Sequence, residues 1–184
     1  MFEEVSRAAN ELREADVIGF GCTSGSLYRG LGYDQEIIKR MQRVSNKPCT
    51  TVATAVVQAL REMDIRKPCV ATPYTDWVNQ LEKKFLEESG FVVLHIGGLG
   101  LDIDKITNLT PDIAYRQARR VDRPGADGIF ISCTGFRTVE ILDILEKDLG
   151  KPVISSNQAL MWALLKLADV KGPVLGFGKL LTKL

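Results

Sequence analysis

Histidine is almost missing from this 184-residue chain, in which His95 is the single example. A Ser-His-Asp device would rest on that one ring, which follows the strand-like run Phe91-Val92-Val93-Leu94, where a structural histidine is the plainer expectation. Cysteine is sparse too. Cys22, Cys49, Cys69 and Cys133 are too few and too scattered for a disulfide scaffold. They form no C-x-x-C pair, and with one histidine they leave little material for a zinc site, so no metal is expected. There is no basic surplus: 24 Lys and Arg face 23 Asp and Glu, which argues against a nucleic-acid partner. No run approaches the roughly 18–20 uninterrupted apolar residues that span a bilayer, so no membrane partner is expected. The opening MFEEVSRAANELREAD is acidic and helix-patterned, unlike the basic-then-apolar start of a signal peptide, and the expected location is the cytoplasm.

What is present is ordinary globular material in a regular order. The chain is 45% hydrophobic and 26% charged, enough for a sizeable core in one compact domain or two small lobes. Short β-rich apolar runs predict strands over 17–21, 49–52, 69–71, 91–96, 128–132 and 152–155. Between them, helical patterns predict helices over 2–14, 34–44, 54–63, 76–89, 112–121, 138–149 and 158–168. Thr75 is expected to cap the helix after it, and Thr110-Pro111 places a capping residue before a first-turn proline. Gly90 and Gly150 stand where helices should stop. This alternation predicts an α/β protein of parallel sheets covered by helices on both faces.

The chain also resembles itself. Asp16-Val17-Ile18-Gly19-Phe20-Gly21-Cys22-Thr23-Ser24-Gly25 matches Asp127-Gly128-Ile129-Phe130-Ile131-Ser132-Cys133-Thr134-Gly135-Phe136, with 133 − 22 = 111 and 127 − 16 = 111. Downstream, Lys47-Pro48-Cys49-Thr50-Thr51 matches Lys151-Pro152-Val153-Ile154-Ser155, and Ala59-Leu60 matches Ala163-Leu164, at 151 − 47 = 163 − 59 = 104. Such self-similarity implies a duplicated unit. The second copy is preceded by a strand, helix and strand from Lys67 to Ile96, whose projected counterpart, 67 − 111 = −44, falls before the first residue. The first half is therefore expected to lack an N-terminal strand-helix-strand segment. The expected division is 1–66 plus 156–184 for the first lobe and 67–155 for the second.

Both matched cysteines fall where a parallel strand ends, the place where open α/β sheets bind ligands. The following turns, Thr23-Ser24-Gly25-Ser26 and Thr134-Gly135, are small and hydrogen-bonding. Their N–H groups and hydroxyls suit a carboxylate, and a helix dipole there would favour thiolate over thiol. A duplicated pair approaching one ligand from opposite faces suits proton removal and return at one carbon, or addition and elimination across a double bond. Cys49 and Cys69, beside prolines at strand starts, read as inert buried residues.

Taken in order, GCTSGSLYRG, PCTTVATAV, VATPYTDWVN, ISCTGFRTVEIL, GKPVISSNQALMW and GFGKLL resemble the aspartate/glutamate racemase superfamily. The branch is that of maleate cis-trans isomerases and arylmalonate decarboxylases. The resemblance runs from about Asp16 to the C-terminus. It implies two Rossmann-like lobes related by pseudo-twofold symmetry, an active site in the cleft between them, and no cofactor. Cys22 matches the first-lobe cysteine of the isomerases and racemases, where the decarboxylases have glycine, and Cys133 matches the second-lobe cysteine of both groups. Thr23, Ser24, Thr134 and Gly135 match the lining of the carboxylate pocket, and Tyr74 matches a tyrosine that holds substrate carboxylate. Arg137 follows Cys133 where related sequences also carry arginine, and Asn157 and Asn108 are weaker candidates.

The resemblance thus implies a cofactor-independent isomerase of a small dicarboxylate, maleate isomerase-like, with two catalytic cysteines. The alternatives are a two-base amino-acid or hydantoin racemase, an arylmalonate decarboxylase-like enzyme, or a non-catalytic carboxylate-binding homologue. Phe2, Leu12 and an uncovered sheet edge suit a subunit contact, so a homo-oligomer is a further expectation.

Overall fold

The computed structural model describes residues 2–184, with the side chain of Ile103 excepted. All strands are parallel, as the alternation predicts, and they form two sheets. The smaller pairs β1 (Ile18–Phe20) with β2 (Cys49–Thr51). The larger runs β4-β3-β5-β6, from β3 (Pro68–Ala71), β4 (His95–Gly97), β5 (Gly128–Ile131) and β6 (Val153–Ser155). Its central strands β3 and β5 are buried throughout, the mark of a parallel sheet covered on both faces.

The helices are α1 (Phe2–Glu11), α2 (Thr23–Leu27), α3 (Tyr33–Ser45), α4 (Val52–Glu62), α5 (Asp76–Glu88), α6 (Ile103–Ile106), α7 (Pro111–Val121), α8 (Leu142–Leu149) and α9 (Ser156–Leu167). Of these, α2 replaces a stretch expected to be a turn, and α6 lies where no element was expected. The predicted strand over 91–96 is shifted: only His95–Gly97 pairs regularly, although Val92 and Leu94 N–H groups donate to Arg66 and Pro68 carbonyls along the same edge. Thr75 and Thr110 occupy capping positions without making a side-chain cap bond; the Thr110 hydroxyl is turned to the Asp112 carboxylate instead. Gly150 closes α8 in the left-handed conformation, and Gly90, also at positive φ, follows the end of α5.

The repeat is most exact where strand passes into helix. β2 ends at Thr51 and α4 begins at Val52; β6 ends at Ser155 and α9 begins at Ser156. In each case the last strand residue is the helix cap, Thr51 Oγ1 accepting from Thr54 N and Ser155 Oγ from Gln158 N, at equivalent repeat positions. Ser155 and Gln158 complete a reciprocal capping box. The two helices then pack on each other through Ala55, Ala59, Ala159 and Ala163, whose small side chains permit close approach. From this pair α9 turns Leu160 and Leu164 onto β1 at Gly19, while α4 joins the core beneath Val70, Phe130 and Ile154.

Among the described residues β1 is paired on one side only. Its other edge borders an apolar cavity of about 330 Å³ lined by Val5, Leu12, Ile18, Phe20 and Met41. Phe2 is engaged within the chain, its ring 5.4 Å from that of Tyr33 and 4.0 Å below the Arg40 guanidinium, whereas Leu12 is exposed. Among the described residues no helix is long and apolar enough to cross a membrane.

Leu60, fully buried in the core shared by α4 and α9, has no room to be replaced by solvent. Leu60→Ala is expected to cost about 2–5 kcal/mol, read as a lower midpoint in urea with an unchanged slope.

Candidate active site

The two matched cysteines are held by different backbones. Cys22 ends β1's extension in the extended conformation, is exposed, and is the cap residue of α2. Its thiol lies over the first turn of that helix, where a Cβ on Gly25 would come within 2.8 Å of Sγ. Only glycine leaves that space. Cys133 is buried and has φ of 95°, a left-handed conformation rare for a residue with a side chain. No helix starts at the turn after it, so the expected dipole field is absent at Thr134-Gly135.

Hydrogen bonds stitch the two cysteine turns together. Thr134 Oγ1 donates to the carbonyl of Gly21, the residue before Cys22, at 2.9 Å. Thr23 Oγ1 donates to Ser156 Oγ at 3.1 Å, and the same Ser156 oxygen accepts from Cys133 N at 3.1 Å. Asn157 Nδ2 donates to Thr134 O at 3.1 Å. The start of α9 is thus fixed to both turns, a consequence of the loopless junction after β6. Ser156 carries no signal in the sequence reading; its equivalence to Val52 in the repeat, a polar residue where the other copy is apolar, could have marked it.

Tyr74 comes from the loop after β3 and faces the Cys133 thiol. That loop is clamped. Thr72 Oγ1 donates to Asn79 Oδ1 at 2.6 Å and accepts from Tyr74 N at 3.1 Å, and Gly100 N donates to Tyr74 O at 3.1 Å. Gly98 passes so close that an added Cβ would fall 2.2 Å from the Tyr74 carbonyl.

Burial pushes the Cys133 thiol up, so the expected bias toward thiolate is overturned there. The Tyr74 hydroxyl and the N–H groups of Gly135 and Phe136 oppose that shift, and the Glu82 charge adds to it. Burial, helped by Glu82 and Cys133, holds the Tyr74 phenol well above its usual range. Glu82 itself, 1% exposed on α5, is pushed up to about 7 by burial, partly offset by its bond from Ser132.

The remaining candidates divide. Ser24 and Gly135 sit half-buried in the two turns. Arg137 is exposed and paired with Glu140 at 2.6 Å, and Asn108 is exposed beyond α6. His95 lies in the edge strand β4, its ring held below its ordinary value by burial and by Arg123 and Arg120. Cys49 and Cys69 are buried, and burial raises both thiols, which fits inert residues. Among the described residues no group of three His, Cys, Asp or Glu side chains gathers as a metal site.

Known proteins share this fold. The family profile described as arylmalonate decarboxylase matches residues 1–181. Arylmalonate decarboxylase of Bordetella bronchiseptica is 33% identical over 177 residues, covering 91% of this chain and 72% of that protein. Maleate isomerase of Pseudomonas putida is 29% identical over 191 residues, covering 99% and 76%. A solved arylmalonate decarboxylase in liganded form, carrying glycine-to-cysteine and cysteine-to-serine changes, superimposes with a TM-score of 0.92 at 31% identity, over 97% of this chain and 79% of that one.

Ser156→Ala removes the acceptor shared by Thr23 and Cys133 N. A loss of about 1–3 kcal/mol is expected in chemical denaturation, because two buried donors lose their partner. Glu82 sets a pH dependence. The folded protein keeps this proton up to about pH 7, whereas the unfolded chain releases it near 4.5. The stability it supplies is full below the unfolded value and is lost as pH rises through the folded one, by on the order of 3 kcal/mol. Relative to the parent, Glu82→Gln should flatten the fall in unfolding free energy between about pH 4.5 and 7.

Proposed function

Since the chain belongs to the arylmalonate decarboxylase family, a branch of the aspartate/glutamate racemase superfamily, we propose that it is a cofactor-independent isomerase of a small cis-dicarboxylate such as maleate. The observation that carries this reading is the contrast between two cysteines on stitched turns: Cys22 is exposed, while Cys133 is buried and favours its protonated form. An exposed thiol suits a nucleophile and a buried, protonated one suits a general acid. We read the substrate cleft as lying between lobes formed by 1–66 plus 156–184 and by 67–155.

In this mechanism the Cys22 thiolate adds to one alkene carbon. The C–S bond forms as the π electrons move to the neighbouring carbon, which takes the proton of Cys133. Rotation about the new single bond follows. The Cys133 thiolate then removes the proton it gave, the double bond re-forms, and Cys22 leaves as thiolate with the trans product released. Thr23, Ser24 and Thr134, with the N–H groups around Gly135, would hold the carboxylates and the charge that develops on them. Tyr74 would hold the Cys133 sulfur and one carboxylate. Arg137 would contribute only by leaving Glu140.

A second reading is supported by the identity to arylmalonate decarboxylase: loss of carbon dioxide from an arylmalonate, followed by proton delivery from Cys133 to the carbanion. Cys22 would then be a spectator, at a position where the motifs of the decarboxylases carry glycine.

Maleate and phenylmalonate, followed by proton NMR, separate the two readings. Conversion of maleate to fumarate is expected, with Cys22→Ala and Cys133→Ala each lowering turnover by about 10²-fold or more. Full maleate turnover by Cys22→Ala would end the two-thiol scheme, and phenylmalonate decarboxylation untouched by that change would replace it with the second reading.

A further inference from the structure

The residue before Cys133 points away from the cysteine turns. Ser132 sends its hydroxyl inward and donates to Glu82 Oε1 at 2.5 Å. Glu82 projects from the middle of α5, 1% exposed, and among the described residues its Oε2 has no hydrogen-bond partner. An unpaired, fully desolvated carboxylate oxygen is costly, and a structural role would not need an acid there, since glutamine fills the same volume. Among the described residues no cation answers it. The neighbouring Lys83 and Lys84 turn outward to Glu87 and Glu88. Of the elements packed against α5, α2 has no ionisable side chain, and β4 carries His95, which responds to Arg120 and Arg123. The groups that do respond to Glu82 are Tyr74 and Cys133, and the Tyr74 hydroxyl meets both Ser132 and the Cys133 sulfur.

These four groups follow one another: the Ser132 hydroxyl bonds to the Glu82 carboxyl, and the Tyr74 hydroxyl lies beside Ser132 and the Cys133 thiol. We propose that Glu82 is a positioning residue for Cys133, acting through Ser132 and Tyr74, and that carboxyl and thiol share one mobile proton. The inference rests on the reading of Cys133 as the acid of the site. In one state the thiol donates to Tyr74 Oη, Tyr74 to Ser132 Oγ and Ser132 to the ionised Glu82. Moving each proton one place along gives the other state: the S–H, Tyr74 O–H and Ser132 O–H bonds break, while new O–H bonds form on Tyr74, Ser132 and Glu82. The second state has a neutral carboxyl at one end and a thiolate accepting from Tyr74 at the other. Nothing is oxidised or reduced. While that one proton rests on a substrate carbon, thiol and carboxyl are both ionised, and its return to the sulfur restores the shared pair.

The test needs no substrate. Cys133 alkylation by iodoacetamide, resolved from Cys22 by peptide mass mapping, is followed against pH in the full chain. In the parent the Cys133 rate should rise in two steps, because thiol and carboxyl titrate as a coupled pair. In Glu82→Gln the profile should become a single step displaced to lower pH, about tenfold faster near pH 7.5, with the Cys22 profile unmoved. Ser132→Ala, which interrupts this succession but leaves the acid, should also abolish the two-step form. A merely structural role would scale rates alike at all pH values. A single step in the parent overturns the proposal, as does a Glu82→Gln profile superimposing on the parent's; if that variant does not fold, an unchanged Ser132→Ala profile does the same. A chain that converts neither maleate nor phenylmalonate would sink the functional reading while leaving these profiles to stand, and an active isomerase with an unmoved profile would sink this inference alone.

Discussion

Thr51 and Ser155 each belong to two elements at once, and much of the molecule follows from that. Each is the last residue of a parallel strand and the cap of the helix that begins at the next position. A connecting loop would let the helix swing; with none, the strand's hydrogen bonds fix where the helix starts and which way its first residue points. At the end of β6 that residue is Ser156, whose single oxygen serves Thr23 on one side and Cys133 N on the other. The same rigidity brings α4 and α9 together along their alanines. A shift of one residue at either junction would rotate the helix by about 100° and remove both the alanine contact and the serine bridge.

From that frame comes the difference between two cysteines that the sequence makes look alike. One copy of the duplicated strand runs into a helix, leaving its thiol exposed at the cap. The other runs into a turn with a left-handed residue, which drops the thiol into the interior against Tyr74. The repeat places the two sulfurs alike; the turns after them, which differ, give them two environments. A reaction that needs an attacking group and a proton donor is better served by that inequality than by perfect symmetry.

The strands other than β4 were legible because each is a short run rich in apolar or β-branched residues between punctuating residues, and the repeat singled out Cys22 and Cys133 without any structure. Other features were hidden for identifiable reasons. The α2 segment TSGSL has low intrinsic helix preference and reads as a turn, yet Ser26 Oγ accepting from Ala53 N ties it to α4. Thr75 and Thr110 look like caps because capping is judged from residue type, whereas the bond depends on a rotamer that a nearby carboxylate can capture. Glu82 was masked by its surroundings: QLEKKFLEESG reads as a solvated charged face. Its position is in fact set by Asn79, Phe85 and Leu86, buried with it at helical spacing. Reading that stripe through the charge, rather than around it, would have found the acid.

The backbone at Cys133 has a consequence for the chain's tolerance to change. A left-handed φ of 95° is one that glycine adopts freely and cysteine does not, with a strain of order 1–3 kcal/mol. At this position thermodynamic advantage and chemical usefulness therefore favour different amino acids. A lineage released from the need for a sulfur here would gain robustness by drifting to glycine. If Cys133 has the proposed role, a descendant sequence that keeps a side chain in so unfavourable a conformation marks itself as one in which the sulfur is still in use.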